Sequence, residues 1–319
     1  MTARAERLGG GLRERRPLLS LLLLAAVAAL GYLAGHGTGS HGTPTTSTRT
    51  VLVNGVLFDY PSTWNRTAGG PQIPGLALAQ ELTLSPPGQD ARAGLTVGSL
   101  VTGDPGPLPE GFLAQLRSNP RTDVVSLSEV QAYRYSRMSV AGFDRALTAF
   151  AIPNAAPGST VIACYASAGD PSFLRVCAQV VDAVTRVGQP LGYDLSPVAA
   201  YARSLAGVLA SVQKGRATVA QAAGAHGATT RLGGLAARLG QQLQAAASSL
   251  QALEAPAAAQ AAQSALLLAA RGASGAYAAL SAAVRARDVA AYAAARARVV
   301  EAEAGINRAL RRFALLGYG

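Results

Sequence analysis

Val51-Leu52-Val53-Asn54-Gly55-Val56-Leu57-Phe58-Asp59-Tyr60 sets two apolar, β-branched runs on either side of an Asn-Gly pair. Asn and Gly accept the positive φ that a two-residue hairpin turn demands at both central positions, so the stretch predicts strand, tight turn, strand. Further apolar, β-rich runs fall at 76–84, 95–101, 124–127, 130–138, 144–152 and 160–166, with Gly, Pro, Asn or Asp between most of them. Helical stretches fit at 110–118 and 172–187. Residues 48–190 are therefore expected to form an α+β domain, an antiparallel sheet with helices packed on it.

Past Ser196-Pro197, an N-cap followed by proline at the first helical position, the chain turns to Ala, Leu, Arg and Gln. Tyr201, Leu205, Val208 and Val212 keep to one helical face, and Leu232, Leu235, Leu239, Leu250 and Leu253 keep to another. A third stripe runs through Leu266, Ala270, Ala273, Tyr277, Leu280 and Val284, and a fourth through Val289, Tyr292, Val299, Ile306, Leu310 and Phe313. Breaks fall near 224–227, at Pro256, and at Asp288, whose carboxylate can cap the last helix. Short connections make sequential helices antiparallel, so residues 196–319 predict an all-α antiparallel four-helix bundle. Three tyrosines, Tyr201, Tyr277 and Tyr292, lie on these stripes and are expected to be core rather than an aromatic box.

Ahead of both regions, residues 1–17 carry five arginines against two glutamates, and an uncharged run, LLSLLLLAAVAALGYLAG, fills 18–35. Its length suits one transmembrane helix better than a signal-peptide core, with the basic end left in the cytoplasm. No clean A-x-A site ends the run, which favours an uncleaved anchor over cleavage. Residues 36–47, HGTGSHGTPTTS, form a Gly/Ser/Thr/Pro linker, and His36 and His41 within it lack the companion ligands of a metal site. The expected address is the plasma membrane, single-pass, with the N-terminus cytoplasmic and the bulk of the 319 residues outside.

Cys164 and Cys177 are the only cysteines and lie on the exported side, where a disulfide is the natural reading. Cys177 shares an apolar helical stripe with Leu174, Val181 and Val184, so the bond is expected to staple helix to sheet.

The segment Phe58-Asp59-Tyr60-Pro61-Ser62-Thr63-Trp64, with the closing VIACYASAGDPSFLRVCAQVVDAV, resembles the PsbP-like and LpqN-like α/β domains of exported bacterial proteins. The resemblance covers less than half of the chain and implies a non-catalytic binding or assembly module. It brings no functional residues with it. Trp64, the only tryptophan, is expected to lid the core rather than line a groove.

A formal charge of +11 is concentrated in 196–319, where thirteen cations face four acids. Lys214 is the only lysine. Arg308, Arg311 and Arg312 cluster in the last turns, a placement that suits the negative helix end and also an anionic lipid or wall polymer. The expected address sets nucleic acid aside. Nucleophile elbow, phosphate-binding glycine loops and zincin spacing are all absent; Gly9-Gly10-Gly11 lacks a preceding strand, and His226 sits in a Gly-rich break. The expectation is therefore no enzyme, cofactor or metal, but a binding or assembly module with a membrane, polymer or protein partner. The alternative is a carrier or sensor of a lipid or other apolar ligand, which requires a cavity. A hydrolase would have to unite carboxylates such as Asp59, Glu81 and Asp144.

Overall fold

The computed structural model describes residues 47–67, 69–89, 92–100, 106–154, 158–187, 191–224 and 230–319. The basic N-terminus, the anchor expected at 18–35, the linker as far as residue 46 and the break holding His226 lie outside the described residues.

Strands come first: β1 (Thr48–Val53), β2 (Val56–Pro61), β3 (Asn65–Thr67), β4 (Leu78–Ser85) and β5 (Gly94–Leu100). After a one-turn helix α1 (Glu110–Leu113) follow β6 (Arg121–Ser126), β7 (Gln131–Val140), β8 (Phe143–Pro153) and β9 (Ser159–Ser167). Helix α2 (Ser172–Asp182) and the short β10 (Thr185–Arg186) close this part. Four long helices complete the chain: α3 (Ala199–Gly224), α4 (Thr230–Ala252), α5 (Gln260–Ala286) and α6 (Val289–Leu315).

The opening hairpin forms as its Asn-Gly pair demands. Asn54 and Gly55 take φ of 50° and 77°, and Val53 pairs with Val56 across the turn. β10 joins the free edge of β2, giving a three-stranded sheet, while the other seven strands form an antiparallel sheet in the order β3-β4-β5-β9-β8-β7-β6.

β9 is central and is buried on both faces, with its side chains alternating between two cores. Ile162, Cys164 and Ala166 meet α2 and the small sheet through Phe58, Phe173, Cys177 and Val181. Trp64 lies in this layer, 6% exposed and 5.3 Å from the Phe173 ring, as a core lid. The disulfide Cys164–Cys177, with Cα atoms 6.1 Å apart, binds α2 to the same face.

On the opposite face Val161, Ala163 and Tyr165 pack with Tyr133, Tyr135, Phe112 and the near end of the helical region, through Tyr201, Leu250, Leu266 and Phe313. The Tyr135 hydroxyl donates to the Leu315 carbonyl at 2.9 Å, and Leu195 N–H donates to Gln131 at 2.8 Å. One core thus serves both sheet and helices, and Thr48–Gly319 is a single compact unit.

Each long helix packs on the next, around a second core of Val212, Leu232, Leu239, Ala273, Tyr277 and Ile306. Small residues let α4 and α5 approach closely. A Cβ at Gly240 would stand 3.2 Å from the Ser274 carbonyl oxygen, and the Ser274 hydroxyl donates to the Gly240 carbonyl at 2.8 Å. Among the described residues, Ala257–Ala286 is long and apolar enough to cross a membrane by length and composition; here its inward stripe is buried against α4 and α6.

Some expectations change at the edges. The helix expected over 110–118 ends at Leu113, because Ala141 N–H donates to the Gln115 carbonyl and Arg117 N–H to that of Ser139, drawing the chain onto the sheet. The helix expected over 172–187 ends at Asp182, since residues 185–186 pair with β2 and Val187 N–H reaches the Gly55 carbonyl. α3 begins at Ala199, two residues later than the Ser196-Pro197 signal implied; Asp194 instead accepts from Ser196 N–H. Asp288 caps α6 as expected, accepting from Ala291 N–H at 2.9 Å. Val289, expected on a buried stripe, is 83% exposed.

Candidate functional site

Val289 is the first residue of α6, whose face toward α3 is incompletely covered from Tyr292 onward. α3 and α6 are the first and last helices of the helical region, and a groove of about 750 Å3 opens between them. Its floor is Leu232 of α4 with Tyr277 and Leu280 of α5; its walls are Val219, Ala220 and Ala223 on α3 and Val299, Val300 and Ala304 on α6. Along α6 the lining positions Tyr292, Arg296, Val299, Val300, Glu303 and Asn307 form one helical stripe. At ~1.5 Å per residue that stripe is roughly 22 Å long. Val300 is 65% exposed, an apolar side chain on the open lip.

A polar network closes the end nearer the sheet. Arg216 of α3 donates through Nε to Glu303 Oε2 at 2.6 Å and through Nη2 to Asn307 Oδ1 at 2.7 Å. The second Glu303 oxygen accepts from the Tyr277 hydroxyl at 2.7 Å. Burial, then the hydrogen bond and charge of Glu303, push the Tyr277 hydroxyl well above its ordinary pKa against the opposing pull of Arg216, so it stays a neutral donor. Both carboxylate oxygens are thus engaged, and the network spans the seam with long side chains. At the far end Arg296 stands exposed on the wall, and among the described residues none pairs with it.

This arrangement is suited to holding a molecule with an apolar body. It carries no base paired with a nucleophile and no cluster of metal ligands among the described residues. Two other hollows are poorer seats: one of about 660 Å3 bordered by Gly70–Leu78, Glu81 and Thr96, and one of about 190 Å3 beside Arg117 and Arg311.

Of the residues singled out in the sequence, Tyr277 and Tyr292 line the groove and the rest fall elsewhere. Cys164 and Cys177 are joined beneath α2. Arg312 pairs with Glu110 at 3.2 Å and Arg311 reaches the Leu113 carbonyl at 3.5 Å, so both fasten α6 to α1, while Arg308 is exposed. Asp59 accepts from Thr50 on β1, Glu81 from Gly70 N–H and Thr83 on β4, and Asp144 is exposed on β8. Tyr201 is buried and donates to Gln263 at 2.7 Å; Tyr277 is buried with its hydroxyl on Glu303; Tyr292 is half-buried and lines the groove. Arg216, Arg296, Glu303 and Asn307 were not singled out. The available signal was the α6 stripe itself, where polar residues at 296, 303 and 307 interrupt an otherwise apolar face.

No family model matches the chain, and no curated protein matches it. Among solved structures it is similar to cyanobacterial PsbP (CyanoP) from Synechocystis, with a TM-score of 0.30 and 12% identity over 48% of this chain and 99% of that one. It is also similar to a protein from Bacteroides thetaiotaomicron, at a TM-score of 0.24 and 9% identity, covering 74% of this chain and 76% of that one.

Proposed function

We propose that the chain is a membrane-tethered, extracytoplasmic binding module without catalytic activity, and that it holds an apolar ligand in the groove between α3 and α6. The carrying observation is the groove itself: an apolar middle, closed at one end by the Arg216–Glu303–Tyr277 network and open to solvent along one lip. Its volume falls in the ~300 to 1,000 Å3 range of small-molecule sites, which are mostly apolar with a few fixed polar groups. The N-terminal sequence and the disulfide support the address.

The test is native mass spectrometry of the full-length chain, taken from whichever fraction of an exporting host retains it. A co-purifying apolar molecule is expected, and Ala220→Trp, which fills the groove from an exposed position, should expel it and show the unfolding midpoint of delipidated wild type. A wild-type chain that carries nothing and takes up no added amphiphile overturns the reading.

A second reading is docking of the helical region on an anionic membrane or wall polymer. Arg311 and Arg312 are committed to α1, but Arg231, Arg285 and Arg287 are exposed at the helix ends remote from the sheet. Binding to anionic vesicles that falls steeply with salt supports it; salt-independent or absent binding ends it.

A further inference from the structure

Arg296 gives the groove an asymmetry that the apolar lining alone does not. Arg216 and Arg296 are the cations on its walls and Glu303 is its acid. Arg216 is committed to Glu303 and Asn307, which leaves that end internally neutralised. Arg296 lies seven residues before Glu303 on the same stripe, about 10 Å away by helix rise. Between the two ends the lining is Val299 of α6 with Val219 and Leu232, and Val300 on the open lip. The groove therefore runs from an uncompensated cation, across an apolar stretch, to a closed polar plug.

We propose that the ligand is a single-chain amphiphile with an anionic head, its chain along Val219, Val299 and Leu280 and its head on Arg296. This rests on the groove being the ligand seat. A guanidinium is permanently charged and presents a planar fork that matches a carboxylate or a phosphate oxygen pair. The groove's volume of about 750 Å3 also includes its polar end, which leaves room for one chain and not two. A neutral head would leave Arg296 with nothing to recognise. A cationic head would face repulsion from Arg296, while the one acid in the groove is already held by two partners.

The experiment compares binding of decanoate, decanol and a diacyl phosphatidylglycerol to the full-length chain by native mass spectrometry, in wild type, Arg296→Gln and Arg298→Gln. Arg298 is the control: it removes the same charge from the same helix but borders the shallow seam between α5 and α6. Decanoate should bind about fivefold more tightly than decanol, the scale of an exposed ion pair. Arg296→Gln should erase that preference and leave decanol binding intact; Arg298→Gln should keep it. Equal binding of the two single-chain probes to wild type, or equal loss in both variants, overturns the assignment of the head to Arg296. Stronger binding of the diacyl lipid overturns the single-chain assignment. Failure of every probe to bind overturns the groove as a site and is distinct from these outcomes.

Discussion

Single residues here divide between those that hold the fold and those that shape the groove. Cys164 and Cys177 are both fully buried and bridge a separation of 13 residues, so the bond restricts the unfolded chain while tying α2 to the sheet. Chain-entropy accounting for such a loop gives about 3 kcal/mol. The double variant Cys164→Ala/Cys177→Ala should lose roughly that much in urea unfolding, and more where the missing sulfurs leave a cavity. A loss under about 1 kcal/mol would mean that α2 is held by packing alone. Glu303 is the corresponding residue of the groove. Its side chain is 24% exposed and Arg216 18%, so removing the acid strands a largely desolvated guanidinium. Glu303→Ala should cost about 1 to 3 kcal/mol, whereas Tyr277→Phe, which removes only one donor to the same carboxylate, should cost about 1 kcal/mol. Equal costs for the two would place the stabilisation in the Tyr277 hydrogen bond rather than in the ion pair.

At the scale of elements, what was legible in the sequence was local. Asn54-Gly55 specified its hairpin because the turn geometry depends on two residues, and Asp288 marked the start of α6 because capping spans only three. Asp288→Ala should therefore lower stability by about 1 kcal/mol, an effect that Asp288→Ser should largely restore. Elements fixed by distant partners were not legible. β3 and β10 have three and two residues, too few for any period to show, and exist because β4 and β2 offer them an edge. α1 stops after one turn because the backbone groups of Gln115 and Arg117 find partners at 139–141. Of the groove, the apolar stripe of α6 was legible, but its use was not: the Arg216–Glu303 contact joins residues 87 positions apart. Val289 and Tyr292 read as core because periodicity marks a face without saying whether anything covers it. Packing of α4 on α5 allows a further test at this scale. Gly240→Leu places a side chain where even a Cβ meets the Ser274 carbonyl at 3.2 Å, and should cost about 1 to 3 kcal/mol and push the two helices apart. Gly234→Leu on the same helix, with open space around it, should cost little.

The molecule as a whole is tied together by tyrosines, and this sets its response to alkali. Tyr133 and Tyr135 face the helices from the sheet, Tyr201 meets Phe313 and Tyr318 from α3, and Tyr277 sits in the core of the helical region. Desolvation is the leading cause in each case: it pushes the Tyr201 hydroxyl up to about 12, and raises those of Tyr133, Tyr135 and Tyr277 well above their ordinary value. In the unfolded chain these groups return to about 10. A folded pKa raised above the unfolded one stabilises the native state in full below the unfolded value, and that contribution is lost as pH rises through the folded value. Stability should accordingly hold from pH 7 to about 9 and decline progressively above about 10, as the unfolded chain sheds protons that the native one retains. Competing causes are few. Lys214 is the only lysine and is exposed, and there is no free thiol to reshuffle the disulfide. Urea midpoints at pH 8, 10 and 11 would follow the decline. Tyr135→Phe, which forfeits the bond to the Leu315 carbonyl, should be about 1 kcal/mol less stable at pH 8 yet lose less between pH 8 and 11 than wild type. Parallel pH curves for the two proteins would mean that Tyr135 binds its proton equally well in the folded and unfolded chain, and so is not held away from water between sheet and helices.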